Sequence, residues 1–104
     1  MNAFAAAIDV LFSDSNMAID ALYRVGGVGA GSSVRVIRKA PDETFTFGEG
    51  RFVADTMTFD LRVSEVPGLA IGDSLEVAGE LFEIRGEPRR DRERLVWSAE
   101  GRLL

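Results

Sequence analysis

Residues 56–64 alternate strictly between apolar and polar side chains, and this alternation constrains the fold more than any other feature of the sequence. The apolar positions are Met57, Phe59, Leu61 and Val63, and the polar positions are Thr56, Thr58, Asp60 and Arg62. Successive side chains of a β-strand point to opposite faces, so the pattern predicts a strand with one buried face and one wet face. Such a strand needs neighbouring strands to cover its apolar face.

Further short runs predict the neighbouring strands, and residues typical of turns separate them. These runs are residues 17–23, 33–38, 74–77, 81–85 and 95–103. The chain turns at Pro67-Gly68 and again at Gly72-Asp73, and residues 78–80 join two of the runs in a tight hairpin.

The first twelve residues have a helical period instead. Phe4, Ile8, Leu11 and Phe12 fall on one helical face, Asn2 can cap the start, and residues 13–16 end the helix. A helix this short needs a surface to pack on. With 104 residues in one domain, residues 1–104, we expect a mainly β fold: a small antiparallel β-sandwich or barrel of about six short strands, with one N-terminal α-helix packed on it.

Composition excludes several functional classes. The chain has no cysteine and no histidine, which removes disulfide scaffolds, thiolate or imidazole metal sites, and catalytic triads. Its net charge of -5 argues against tight binding to a nucleic-acid backbone. We therefore expect no enzyme, no catalytic residue, no metal and no cofactor. No apolar run is long enough to span a membrane and no signal peptide is visible, so we expect a soluble, cytoplasmic chain.

The glycine-rich residues 26–33 have the glycine spacing of a phosphate-binding loop but lack its other parts. Ser32 stands where the phosphate-binding lysine is needed, and a β-strand rather than a helix is predicted to follow. We interpret the segment as a loop. Residues 24–33, which contain it, and residues 39–50 are the two stretches predicted to lack regular structure. Loops of this length often bind partners, although simple flexibility explains them as well.

The second of these stretches carries the aromatic candidates for partner binding, Phe45 and Phe47. Large apolar side chains on a loop can serve as anchors that become buried on docking. They can equally pack into the core of their own domain, and the sequence leaves both interpretations open.

Charge is distributed unevenly. Residues 85–94 contain five arginines and three acidic residues, a local charge of +2, whereas residues 40–65 contain six acidic residues and two arginines, a local charge of -4. Arginine pairs well with carboxylates and is enriched at interfaces, so the two segments are candidates to meet between copies in a head-to-tail contact. The candidate residues are Asp42, Glu43, Arg89, Arg90 and Arg92. A solvated turn with internal pairs, such as Asp91 with Arg94, is the alternative.

Residues 72–88 and 90–97 resemble the small head-tail joining proteins of tailed phages, also called head completion or stopper proteins, which occur in gene transfer agents and prophages too. The shared features are a Gly-Asp turn at Gly72-Asp73, a hairpin with apolar strands, an Asp-containing turn at Asp91, and a last strand with the aromatic Trp97. Residues 1–12 are similar to the N-terminal helix of the lambda-type family.

The resemblance implies a non-enzymatic virion protein, assembled in the bacterial cytoplasm, that joins the filled head to the tail. It implies a ring, a hexamer in this family, between the portal or adaptor and the tail-tube or tail-terminator protein. The ring forms on assembly from a chain that can be monomeric in isolation, and it seals a channel through which DNA passes without specific binding. The alternative is a small cellular β-barrel module that binds a peptide or small ligand through residues 24–33 and 39–50.

Overall fold

The computed structural model describes residues 3–39 and 56–104, and the fold is built from these residues. They form one helix, one short 3-10 turn and six strands. In chain order these are α1 (Ala3–Ser13), β1 (Ile19–Arg24), the 3-10 turn (Val25–Gly27), β2 (Ser32–Lys39), β3 (Thr56–Arg62), β4 (Ser74–Val77), β5 (Glu80–Arg90) and β6 (Val96–Leu103).

The six strands close into an antiparallel barrel in the order β1-β2-β3-β6-β5-β4. Pairing of β1 with β4, from Ala21 opposite Val77 to Arg24 opposite Ser74, closes the circle. The predicted mainly β fold is thereby confirmed. Of the two predicted arrangements, sandwich and barrel, the structure has the barrel.

The strand alternation fills the barrel as expected. In β3, Phe59 and Leu61 point inward and are fully buried, and Ala21 and Tyr23 of β1 are buried with them. The rings of Phe59 and Phe82 meet edge to face with centroids 5.0 Å apart. An added Cβ at Gly101 would stand 2.7 Å from a Phe59 ring carbon and 3.2 Å from the Phe82 Cβ, so a side chain there would force this packing to shift.

The helix differs from its prediction in how it is held. Of the predicted apolar face, Phe12 is buried, but Phe4 is 60% exposed and Leu11 is 41% exposed. The outer side of the barrel beneath it carries Arg35 and Arg62, and the predicted apolar face is covered only in part, with Ile8 half-buried.

Polar contacts hold the last turn of the helix on the outside of the barrel. Arg35 donates from Nε to the Phe12 carbonyl at 2.9 Å, and Arg62 pairs with Asp9 at 3.1 Å. The Arg62 guanidinium also lies 5.5 Å from the centroid of the Phe12 ring. The helix is thus clamped by two arginines instead of being packed along its whole apolar stripe.

Several predicted boundaries were wrong. Residues 24–33 were expected to be irregular, but Arg24 ends β1 and Ser32 and Ser33 begin β2. Lys39 belongs to β2, and the rest of the second predicted loop lies outside the described residues. β2 is longer than its predicted run because ladder pairing extends through polar residues at its start, as in the pair of Tyr23 with Ser32, whereas β1 begins at Ile19, two residues later than predicted.

Candidate interaction surface at the β5–β6 hairpin

Of the predicted partner-binding residues, Arg89, Arg90 and Arg92 lie on one hairpin. Arg89 and Arg90 end β5, and Arg92 lies in the turn that leads to β6. The other candidates, Asp42, Glu43, Phe45 and Phe47, lie outside the described residues.

The β5 strand continues five residues beyond its predicted end at Arg85, so the arginine-rich residues 85–94 are in part a strand. A bulge hides this continuation in the sequence. Arg85 stands opposite Glu100 and Arg89 stands opposite Ser98, so three residues of β5 face a single residue of β6. Gly86 adopts a φ of 73°, which glycine accepts without steric cost, and the extra residues interrupt the two-residue period.

The end of β5 is an exposed strand edge. The ladder between β4 and β5 stops at the pair Ser74–Glu83, so residues 85–90 pair with β6 alone. Pro88 has no N–H to offer a further strand, and the charged side chains around it also oppose strand addition. The hairpin therefore presents side chains rather than a backbone edge to a partner.

Asp91 shapes the turn at the end of the hairpin. Its Oδ1 accepts hydrogen bonds from the backbone N–H groups of Leu95, at 2.8 Å, and Val96, at 3.2 Å. The Arg94 N–H donates to the Asp91 carbonyl at 3.0 Å. The contact that the structure gives between Asp91 and Arg94 is thus a backbone hydrogen bond, and no ion pair joins their side chains among the described residues.

Four arginines project from the resulting tip, which we define as residues 89–94. The Arg90 guanidinium lies 5.3 Å from the centroid of the Trp97 ring, and the Trp97 indole donates to the Val66 carbonyl at 2.7 Å. Arg89, Arg92 and Arg94 are exposed, and none of them has an ion-pair partner within residues 3–39 and 56–104. Only Arg90 is held in place, by its aromatic neighbour.

An open surface cavity of about 570 Å³ lies along this tip. Its walls include Arg90, Arg92 and Arg94, with the Trp97 ring at one side. The surface can accept carboxylate or other anionic groups by charge-assisted hydrogen bonds, for which guanidinium is the best-suited side chain.

Asp73 forms a second polar centre, which the sequence identified only as a turn. Its carboxylate is buried and accepts hydrogen bonds from the Tyr23 hydroxyl at 2.5 Å, the Gly26 N–H at 2.8 Å and the Ala70 N–H at 2.9 Å. Burial, and then the hydrogen bond and charge of Asp73, raise the pKa of Tyr23. This centre joins β1, the 3-10 turn and the segment before β4. All three donors, from Tyr23, Gly26 and Ala70, have the Asp73 carboxylate as their acceptor.

The glycine-rich loop is part of that centre. The Gly26 N–H points at the Asp73 carboxylate, where a phosphate-binding loop would leave such a group for its ligand. As predicted, a strand and not a helix follows the glycines, and this strand, β2, begins at Ser32. The Gly26 N–H therefore stabilises the barrel through Asp73. This geometry, like the sequence, argues against a phosphate site in the loop.

Within residues 3–39 and 56–104, no group of three or more acidic side chains is arranged to hold a metal ion. None of their helices is long and apolar enough to cross a membrane.

A family model described as the phage head-tail attachment protein matches residues 1–101. The chain belongs to this family. A search of the curated proteins finds no match. The match covers α1, β1–β5 and most of β6, and with them both the hairpin tip and the Asp73 centre. The resemblance seen in residues 72–97 is therefore confirmed, and this head-tail attachment protein has a structural role in phage particles, with head and tail components as its partners.

Proposed function

We propose that this head-tail attachment protein forms a ring, a hexamer as the family resemblance implies, between the portal or adaptor of a filled head and the tail-tube or tail-terminator protein. The ring seals the DNA channel and receives the tail. The observation that carries this proposal is the family match over residues 1–101, which takes in the barrel, the helix and the charged hairpin together. No catalytic step is part of this function.

The charge of the chain suits a channel component. A net charge of -5 disfavours tight contact with the phosphate backbone, so DNA can pass without being held. The barrel supports the same role because its interior is filled by buried side chains, which makes it a rigid unit for assembly.

Complementation tests the function directly. The gene for this chain is deleted from a strain that produces tailed particles. DNA-filled heads and free tails are then counted by electron microscopy. We expect both to accumulate separately and to join when purified wild-type protein is added to the lysate. Normal yields of joined, infectious or DNA-transferring particles in the deletion strain would contradict the proposal.

A further inference from the structure

We propose that the tip of the β5–β6 hairpin, residues 89–94, binds the α1–β1 corner of a second copy of the chain. We define this corner as residues 9–20, which run from the last turns of α1 to the start of β1. The inference rests on the proposed function, because a ring requires a contact between copies. It assigns that contact to two surfaces that both lie within residues 3–39 and 56–104.

The tip carries the positive surface. It contains four arginines against Asp91 and Glu93, so its charge is +2 with both acidic side chains counted. Arg89, Arg92 and Arg94 are exposed, and no ion pair holds their side chains within the part of the chain that the structure describes. The tip can therefore take up carboxylates of another molecule through charge-assisted hydrogen bonds.

The corner carries a negative surface on the outside of the barrel. Its charged residues are Asp9, Asp14 and Asp20, and it contains no lysine or arginine. The side chains of Asp9 and Asp20 are 60% and 78% exposed, although each pairs with an arginine of the barrel. When these two arginines and Glu65, which pairs with one of them, are counted too, four acidic side chains and two arginines leave a charge of -2.

Exposed apolar side chains lie next to these carboxylates in the chain. Val10 is 70% exposed, Leu11 is 41% exposed and Met17 is 47% exposed. The stem of an arginine side chain is apolar, so an arginine can cover such groups while its guanidinium reaches a neighbouring carboxylate. The corner therefore offers the tip apolar contact area as well as opposite charge.

The closed barrel places the tip and the corner on opposite sides. β1, which follows the corner, neighbours β2 and β4, whereas β6, which follows the tip, neighbours β3 and β5. β1 and β6 are thus three places apart in a circle of six strands. No ion pair joins the two surfaces of one copy among the described residues. Complementary surfaces on opposite sides favour a head-to-tail contact, in which each copy uses both surfaces and a ring can close.

The net charge of -5 limits what else the tip can bind. It disfavours the phosphate backbone of a nucleic acid, whose charge is dense along its whole length. Two copies of the chain also carry like net charge, but salt at about 0.1 M screens this repulsion beyond about 10 Å, while paired side chains meet at hydrogen-bond distance. A second copy, which presents its carboxylates at one surface, is thus the partner that fits the tip.

Two charge variants, one for each surface, test the contact. The tip variant carries Arg89→Glu with Arg92→Glu, which changes the charge of the tip from +2 to -2. The corner variant carries Ser15→Lys with Asn16→Lys, two exposed positions in the turn after α1, and brings the charge of that surface from -2 to 0. Ser15→Glu with Asn16→Asp is the matched control for the corner variant. Circular dichroism and Trp97 fluorescence establish that each variant is folded.

Sedimentation velocity at high protein concentration and about 0.1 M salt measures self-association. We expect the wild-type chain and the control to associate. The dissociation constant of each charge variant should rise at least about tenfold, the effect of losing one charge-assisted hydrogen bond. An equimolar mixture of the two charge variants should form heterodimers and nothing larger, because only the tip of the corner variant and the corner of the tip variant remain complementary.

Four results would each overturn the inference. They are wild-type protein that stays monomeric up to millimolar concentration, charge variants that associate normally, a mixture that stays monomeric, and a mixture that grows beyond heterodimers. Binding of duplex DNA by the wild-type chain that the tip variant loses would overturn it as well.

The head-tail joining assay separates this inference from the proposed function. If wild-type protein joins heads to tails and the tip variant joins them equally well, the contact is wrong but the function stands. If the tip variant self-associates normally but joins nothing, the tip binds a head or tail component instead, and the inference again fails without the function. If wild-type protein joins nothing, the function itself fails, whatever the sedimentation shows.

Discussion

Asp73 and Asp91 each hold a turn through hydrogen bonds to backbone N–H groups, yet they do different work. Asp73 is 3% exposed, and two of its donors, Tyr23 and Gly26, lie 50 and 47 residues away in the chain. Asp91 is exposed, and its donors lie four and five residues away. The long-range, buried carboxylate ties the barrel together, whereas the local one only shapes a surface from which arginines project. We therefore expect the Asp73 turn to matter most for stability and the Asp91 turn to matter for the binding that we propose.

The largest expected effect is at Asp73. Asp73→Ala removes the shared acceptor of three donors and leaves buried N–H and O–H groups without partners, so we expect a loss of about 3–5 kcal/mol in the free energy of unfolding. Urea denaturation followed by Trp97 fluorescence measures it. A loss no larger than that of Asp91→Ala would erase the distinction between the two turns.

A substitution in the barrel interior gives a second loss of unfolding free energy, with which the loss in Asp73→Ala can be compared. Gly101→Ala places a Cβ against the Phe59 ring, so we expect a loss of about 1–3 kcal/mol in the same unfolding measurement. The control is Gly68→Ala, where an added Cβ meets nothing within 4 Å. Equal stability of the two variants would show that the Phe59–Phe82 packing over Gly101 is looser than described.

Tyr23→Phe sharpens the account of the Asp73 centre. Removing the hydroxyl is expected to cost about 2 kcal/mol near neutral pH, because a buried hydrogen bond to a carboxylate is lost. The pKa of Tyr23 is raised in the folded state, so above its ordinary value of 10.0 the unfolded chain releases the tyrosine proton while the folded chain keeps it.

The stability that this tyrosine contributes is therefore complete below pH 10 and declines as the pH rises further. The difference in unfolding free energy between wild type and Tyr23→Phe should shrink when measured in urea at pH 8 and again above pH 10. Tyr23 is the only tyrosine, so tyrosinate absorbance reports this group alone. A difference that stays constant across this range would contradict the raised pKa.

Asp91→Ala is expected to cost about 1 kcal/mol, the usual effect of losing a local capping carboxylate. The same variant should weaken self-association, because the turn that presents Arg92 and Arg94 loses its order. Thermal unfolding measures the loss of stability, and sedimentation velocity on the same preparation measures the self-association. Full self-association with a disordered turn would remove Asp91 from the contact.

The smallest effect on stability is expected at the arginines themselves. Arg89→Gln with Arg92→Gln should change the unfolding free energy by less than about 0.5 kcal/mol, since exposed charges without partners contribute little. Ser15→Glu with Asn16→Asp lowers the net charge equally in an exposed turn and is the matched control. Self-association should fall for the arginine pair and not for the control; a similar fall in both would point to net charge instead.

The sequence predicted the barrel well where one physical rule dominated. The alternation in β3 and the length of β4 follow from burial on one strand face, and both predictions are confirmed. The prediction from sequence failed where a local feature interrupted the two-residue period of a strand. At Gly86 a bulge interrupts this period, so the second half of β5 was not predicted. The sequence also could not show that the outer barrel face under α1 is polar, which depends on which strands become neighbours.

The same limit applies to the candidate surface. The concentration of arginines in residues 85–94 was visible in the sequence, and three candidates do lie on one hairpin. That the Oδ1 of Asp91 shapes the turn by accepting from two backbone N–H groups could be seen only in the three-dimensional structure. The role of Asp73 was hidden for the opposite reason, since its partners are distant in the chain and only the closed barrel brings them together.

The central claim is that this chain is a structural part of the joint between head and tail. Quantitative peptide mass spectrometry on density-purified tailed particles from a strain that encodes the chain tests it most directly. The account predicts a few copies per particle, in a fixed ratio to the portal protein across gradient fractions. Absence of the chain from intact particles, or an amount unrelated to the portal, would contradict it.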